Sequence, residues 1–382
     1  MDNLTHSLVG LAAAKAGLDR LSPGATTLCV LAANAPDSDL VVLVFGGRWA
    51  FLHHHRGITH SIVGCIVLAL ALPLMFHAGD WLLARWRHRE TRTRLTGLLV
   101  ASILATATHP LLDWMNNYGV RPLLPWNPKW FYGDFVFIID PFLWIVLGGA
   151  AFLLTSKTRK HVILWVVIAL VPSYLVLVGP AGPGRLVNET LLRLLWIVAL
   201  IILVTLYQRQ IGGRRGSKIA IAALATVTVY LGCLAAAHAV ALRQAKVQGA
   251  NIANRNAERV VEVAAMPTVA NPTAWVCLME TDRATYRFHL SLLHATTGAA
   301  DVLRYEKPQG LSAEAVAQAA RDERSQVFLG FARFPVVDLL GEDCATQTLV
   351  QFADLRYTEP GKDRGTFSLA VPVDCPVQPQ ER

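Results

Sequence analysis

Six apolar stretches, at about residues 61–78, 95–113, 136–155, 161–179, 190–208 and 218–242, narrow the folds open to this chain. Each approaches the ~20 residues that an α-helix needs to cross ~30 Å of bilayer hydrocarbon. Backbone N–H and C=O groups in hydrocarbon must be bonded within the protein, and at these lengths a helix does so. Charged residues make up 16% of the chain and hydrophobic ones 53%, with a mean hydropathy of +0.40; soluble domains carry about 25% charged residues. The predicted fold class is mainly α: a polytopic transmembrane helix bundle over residues 1–244, with its motif core in about 1–140. A small α+β domain, expected to be extracytoplasmic, follows over 245–382.

The first 52 residues are less regular. Leu8 to Leu18 is apolar but short, and Ala25 to Phe45 is broken by Asn34-Ala35-Pro36-Asp37-Ser38-Asp39. Two short or re-entrant helices fit better there than one ordinary span. The formal charge of +8 sits in short loops: Arg85, Arg87, Arg89, Arg92 and Arg94; Lys157, Arg159 and Lys160; Arg209, Arg214, Arg215 and Lys218. Those loops alternate with the spans as cytoplasmic loops do, so the charge reads as topology and not as a nucleic-acid surface. Residues 1–10 lack the basic start of a cleavable signal. Six cysteines without a CxxC pair argue against a cysteine-based zinc site. Cys29, Cys65 and Cys233 read as inert; two of Cys277, Cys344 and Cys375 could pair if their domain lies outside.

Beyond the spans, 245–265 reads as a polar, partly helical linker. Trp275 to Met279 and Tyr286 to Leu292 read as a strand pair turning at Thr281-Asp282-Arg283. Ser312 to Glu323 reads as a helix with Ser312 as N-cap. Further strands are expected at 325–340, 346–357 and 366–373, with a disordered tail after Pro372.

Two clusters of chemistry-bearing residues lie at span edges: His53 to His60, before the 61–78 stretch, and His109-Pro110-Leu111-Leu112-Asp113. Imidazoles and carboxylates at membrane depth are costly unless they bind something. His109 and Asp113 are four apart and share a helix face; they offer two ligands to one ion, or a hydrogen bond closing a helix end. Gly57 permits a tight turn, so His55 and His60 can converge. Ser61 is then a cap for the next helix, and Thr59 a partner for a ligand's second nitrogen. His53 and His54 read as interfacial bystanders. Arg56 suits an anionic substrate group, or snorkels to the interface. Asp37 completes a metal site or acts as general base, or lies in a plain turn between short helices. Asp39 is a general base or bridging ligand, or an N-cap for 40–45. Asp134 and Asp140 are outer partners or helix caps. Loop alternation brings these groups, with His6, to the outer face.

The expected metal ligands are His6, Asp37, His55, His60, His109 and Asp113; the expected catalytic residues are Asp39 and Arg56. Imidazole and carboxylate without thiolate suit Zn²⁺, as one or two ions, with Mn²⁺ or Fe²⁺ as alternatives.

Met1-Asp2-x-x-Thr5-His6, Pro36-Asp37-x-Asp39, His55-Arg56-Gly57-x-Thr59-His60-Ser61 and His109-x-x-x-Asp113, in this order, resemble the YdjM family over about residues 1–180. That family is described as inner-membrane, metal-dependent hydrolases. The resemblance implies a multi-pass protein of the bacterial inner membrane, hydrolase activity, and metal ligation at the matched His and Asp positions. The spacing is more distantly similar to the zinc-dependent phospholipase C and P1 nuclease group, whose additional HxxxE ligand pair has no counterpart here. The expected activity is hydrolysis of a phosphoester or ester in a membrane lipid or amphiphile at the outer leaflet. Rival classes are a transporter or metal-handling protein, and a non-catalytic scaffold. The nearly polar-free interiors of 61–78, 136–155 and 190–208 favour a one-sided site over a transport path.

Overall fold

A computed structural model describes residues 1–179, 189–293, 302–340, 347–362 and 365–374. The helices are α1 (Asn3–Ala16), α2 (Ala25–Asn34), α3 (Val41–His54), α4 (Ile62–Trp86), α5 (Leu95–Trp114), α6 (Pro141–Thr155), α7 (Arg159–Leu177), α8 (Glu189–Gln208), α9 (Ile211–Arg215), α10 (Ser217–Arg255), α11 (Leu311–Ala319) and α12 (Glu323–Phe331). The strands are β1 (Val260–Thr268), β2 (Asn271–Thr281), β3 (Ala284–Ser291), β4 (Leu303–Glu306), β5 (Pro335–Leu340), β6 (Gln347–Asp354) and β7 (Ser368–Asp374). Among the described residues, six segments are long and apolar enough to cross a membrane: Ala25–His54, Ile62–Trp86, Leu95–Trp114, Arg159–Leu177, Thr190–Gln208 and Ser217–Arg255. The chain is thus an integral, mostly helical membrane protein with small β-sheets near its C-terminus.

The chain divides into two compact units. The first comprises Met1–Ser38, Arg56–Ala237 and Pro267–Pro272. In it α1 starts because the Asp2 carboxylate accepts from the Thr5 amide and hydroxyl, and it ends at Gly17, whose φ of 147° few side chains tolerate. Helix α1 packs on α2, α5 and α6. Small residues allow this closeness: Ala14, Ala25, Cys29, Ala32, Ala101 and Ala105 form one buried cluster with Leu28 and Leu98. A Cβ on Gly10 would lie 2.6 Å from the Cys29 carbonyl oxygen. The expected span at 136–155 is shortened to the 15 residues of α6, because Asp140 caps the helix and Pro141 opens it. Asp140 also accepts from the Tyr230 hydroxyl at 2.8 Å, so its role is structural. The 180–189 loop lies outside the described residues, apart from the first residue of α8.

The second unit comprises Asp39–His55, His238–Met266 and Thr273–Arg382. Its sheets run β1-β2-β3-β4 and β5-β6-β7, with antiparallel β2–β3, β3–β4, β5–β6 and β6–β7 pairs. The β2–β3 turn falls where expected, with Thr281 Oγ1 accepting from the Ala284 amide at 2.9 Å. Glu258 is buried beneath the first sheet. Burial alone would raise its carboxyl pKa; hydrogen bonds from Thr281, Arg304 and Tyr286 outweigh that and hold it below the usual range. Helix α3, kinked at Gly47 (φ 71°), packs on α12 and on the Gly365–Phe367 turn.

Several expectations for this unit need correction. Residues 245–265 are partly helical as expected, α10 continuing to Arg255, but the link is short, since β1 begins at Val260. The run 325–340 is not one strand but α12 followed by β5, since Asp322 caps a helix by accepting from the Arg324 amide. Gly310 occupies the N-cap position of α11, so Ser312 lies inside the helix. Asp39 does not cap 40–45; Leu40 stands at that position without a side-chain bond. Strand β7 runs to Asp374, and the rest of the expected tail lies outside the described residues, as do Cys344 and Cys375. Cys277 is buried and forms no disulfide among the described residues.

Candidate metal centre

Within the first unit, four elements bring charge and imidazole to one buried point. Helix α1 carries His6, the 3₁₀ turn Ala35–Leu40 carries Asp37, the turn Ile58–His60 presents His60, and α5 carries His109 and Asp113. The turn before α4 is fixed at both ends. Ser61 caps α4 by accepting from the Gly64 amide and donates to the Ile58 carbonyl at 2.7 Å. Gly64 permits that closeness, since a Cβ there would meet the Ile58 carbonyl oxygen at 1.8 Å and Thr59 Cα at 3.0 Å. A Gly64→Ala variant should therefore displace His60. Its affinity for divalent metal is expected to fall by about 10–100-fold, the usual effect of disturbing a ligand's support; isothermal titration with Zn²⁺ would check this.

The donor atoms are spaced as a coordination shell is. His60 Nε2 lies 3.1 Å from His109 Nε2, 3.3 Å from Asp37 Oδ1 and 3.4 Å from Asp113 Oδ2. His109 Nε2 lies 3.4 Å from Asp37 Oδ1 and 3.4 Å from Asp113 Oδ2. Ligands held ~2.0–2.1 Å from one ion at tetrahedral angles stand about 3.3–3.4 Å apart. All four ligand atoms lie within 4.8 Å of one another.

The outer hydrogen bonds aim these atoms inward. His109 Nδ1 donates to the Ala33 carbonyl at 2.6 Å, which turns Nε2 toward the cluster. The Thr59 hydroxyl stands 3.1 Å from His60 Nδ1, the role read for it from sequence. Asn3 Nδ2 donates to Asp37 Oδ2 at 2.7 Å. The two oxygens of Asp113 have different partners. Oδ2 faces the histidine pair, while Oδ1 takes Arg56 Nη2 at 3.0 Å and the Met1 α-amino group. Arg56 also donates through Nη1 to the Asp113 and Gly119 carbonyls and Asn116 Oδ1, and lies over the Tyr118 ring at 4.6 Å.

His6 stacks on His109 with ring centroids 3.7 Å apart. Its Nε2 is 3.4 Å from Asp113 Oδ1, but neither ring nitrogen makes a hydrogen bond among the described residues. Burial pushes this imidazole down to about 3, so the ring is neutral, the form that donates a lone pair. An orphaned, buried, neutral imidazole beside a close set of His and Asp donors fits a divalent cation. The cluster could hold a metal ion through Asp37, His60, His109 and Asp113, with His6 alongside.

Of the other expected residues, Asp39 and His55 pair with each other, Asp39 Oδ1 to His55 Nδ1 at 3.1 Å, and with Asp37 they form a second group of carboxylate and imidazole donors. His53 and His54 meet edge-on at the end of α3. Sequence reasoning missed Asn3, Asn116 and Tyr118. The polar run Asn116-Asn117-Tyr118-Gly119, directly after the Asp113 span, was the available signal.

The chain is similar to known membrane proteins. YfhP of Bacillus subtilis (strain 168) is 28% identical over 189 residues, covering 46% of this chain and 53% of that protein. The inner membrane protein YbcI of Escherichia coli (strain K12) is 28% identical over 134 residues, covering 35% of this chain and 66% of that protein. The chain thus spans about half the length of the first relative and just under two thirds of the second. No solved structure matches. Residues 1–181, which hold every donor of the cluster, match the family model described as YdjM inner membrane protein, the family their His and Asp motifs resemble.

Proposed function

We propose that this protein is a membrane-embedded, metal-dependent hydrolase acting on a phosphoester or ester of a lipid or other amphiphile at the outer leaflet. The single observation carrying this reading is the set of donor separations, 3.1–3.4 Å between His60 and His109 and from each of them to Asp37 and Asp113. Zn²⁺ is the favoured ion, given two imidazoles, two carboxylates and no thiolate. When bound, such an ion supplies Lewis acidity toward an ester oxygen and lowers the pKa of water.

The chain's own residues have separate roles in this reading. His60 and His109 turn their Nε2 atoms toward the centre, fixed by Thr59 and by the Ala33 carbonyl. Asp37 and Asp113 bring the negative charge that a cation needs. Arg56 was read from sequence as a substrate contact; its guanidinium is 2% exposed and bound to Asp113, Asn116 and Gly119, so it is assigned to positioning Asp113. Asp39, hydrogen-bonded to His55 and two residues along the chain from Asp37, is the carboxylate assigned to proton transfer. The outer-leaflet location follows from the arginine-rich loops, which the positive-inside rule keeps in the cytoplasm.

The test is metal analysis and turnover on the full chain reconstituted in lipid, using a generic phosphodiester and a phospholipid. The wild type should carry stoichiometric divalent metal and turn over at least one substrate. The His60→Ala/His109→Ala variant should carry negligible metal and show background turnover. Equal, negligible metal in both proteins would remove the basis of the proposal.

A further inference from the structure

A second feature of the first unit lies apart from the metal centre. Helices α1, α6, α7 and α8 enclose a cavity of about 160 Å³ whose lining side chains are all apolar. Three tryptophans, Trp144, Trp165 and Trp196, form much of its wall. Each turns its indole N–H to a fixed partner: Trp144 donates to Asp2 Oδ1 at 3.1 Å, Trp165 to Thr155 Oγ1 at 2.6 Å, and Trp196 to Ser173 Oγ at 3.2 Å. What the rings leave for an occupant is hydrocarbon surface.

Water gains nothing in such a space, because it needs two to four polar partners. A cavity of roughly 150 Å³ lined by aliphatic and aromatic side chains stays dry and takes up benzene, so this one matches about six carbons of a chain. Its mouth identifies the source of that chain. Val166 and Val204 line the cavity and are also 54% and 52% exposed, on the outer faces of α7 and α8 that carry Leu170 and Ile201 toward lipid. The cavity is therefore continuous with the bilayer-facing surface.

We infer that this cavity is a seat for the methyl end of an acyl chain belonging to a bilayer lipid, entering laterally between Val166 and Val204. Two glycines of α6 keep the seat open. A Cβ on Gly148 would meet Leu8 Cδ1 at 3.8 Å and one on Gly149 would meet Leu203 Cδ1 at 3.5 Å, ordinary contacts in both cases. Larger side chains at these positions would grow into the cavity without striking backbone. The seat is distinct from the metal centre and does not depend on the hydrolase reading.

The experiment uses the full chain in phospholipid nanodiscs doped with a phosphatidylcholine that carries a diazirine near the methyl end of one acyl chain. After irradiation, labelled residues are mapped by peptide mass spectrometry. In the wild type, label should reach the inward residues Leu8, Trp144 and Leu200 as well as the outward Leu170 and Ile201. In Gly148→Leu and in Gly149→Leu, inward labelling should fall at least about fivefold as the space is filled, while outward labelling persists and reports correct insertion. Wild-type label confined to the outward residues would overturn the inference, as would inward labelling undiminished in both variants. Metal content measured on the same samples belongs to the hydrolase reading alone.

Discussion

Replacing Arg56 with alanine should destabilise the metal-free protein by about 3–5 kcal/mol, the range for stranding one member of a buried ion pair. Arg56 and Asp113 are 2% and 1% exposed, with Nη2 and Oδ1 3.0 Å apart. Without the guanidinium, the Asp113 carboxylate keeps its desolvation cost and loses its fixed counter-charge. The Asp113 and Gly119 carbonyls and Asn116 Oδ1 lose a donor at the same time. Arg56→Lys should rescue little of this. An ammonium is one point of charge and cannot reach a carboxylate on one side and three oxygens on the other, as the planar fork does. Arg56 also holds a φ of 52°, a region unfavourable to most side chains, so the backbone there is kept in place by these bonds. Unfolding of the variants in detergent, after chelation, gives the measurement. A loss below about 1 kcal/mol for Arg56→Ala would put the pair among ordinary surface ion pairs and end its positioning role.

The second large effect separates two carboxylates that sequence alone treats alike. Asp37→Asn and Asp113→Asn should both abolish stoichiometric metal binding, since each removes an anionic donor from the cluster. Their metal-free stabilities should differ. Asp113→Asn leaves the Arg56 guanidinium buried without its anion, and the expected loss is again about 3–5 kcal/mol. Asp37 has no arginine; its Oδ2 takes an amide N–H from Asn3, and the carboxamide oxygen that replaces it in Asp37→Asn can accept the same bond. Removing that negative charge also relieves its repulsion from Asp113, so the change should stay within about 1 kcal/mol. Zinc titration and chelated unfolding on both variants decide the matter. Equal stability losses would show that Arg56 does not distinguish the two.

How much of this was legible in the sequence follows from what hydrocarbon forbids. His60, His109 and Asp113 stood out because polar groups beside apolar runs need a partner, and helix periodicity put His109 and Asp113 on one face. Ser61 and Thr59 were also legible, because capping and outer hydrogen bonds act over one to three residues. The pairing of Asp39 with His55 was not, since sixteen residues separate them and the intervening chain packs on α12. The partner of Arg56 was not legible for a related reason: nothing local says whether a guanidinium faces substrate or a carboxylate fifty-seven residues away. In the C-terminal part, Val327-Phe328-Leu329 suits a strand or a helix over so short a run, and the Asp322 cap decided for the helix.

The packing of α3 bears on how the protein can be dissected. A fragment ending near residue 244 would keep α3 but discard α12 and the Gly365–Phe367 turn against which it rests. Phe45, already 85% exposed, would be joined by surface that α12 now covers. Such a truncation would leave sticky, unsupported chain only a few residues from Asp37 on one side and His60 on the other. Biochemistry on this molecule is therefore better done on the intact polypeptide than on its N-terminal half.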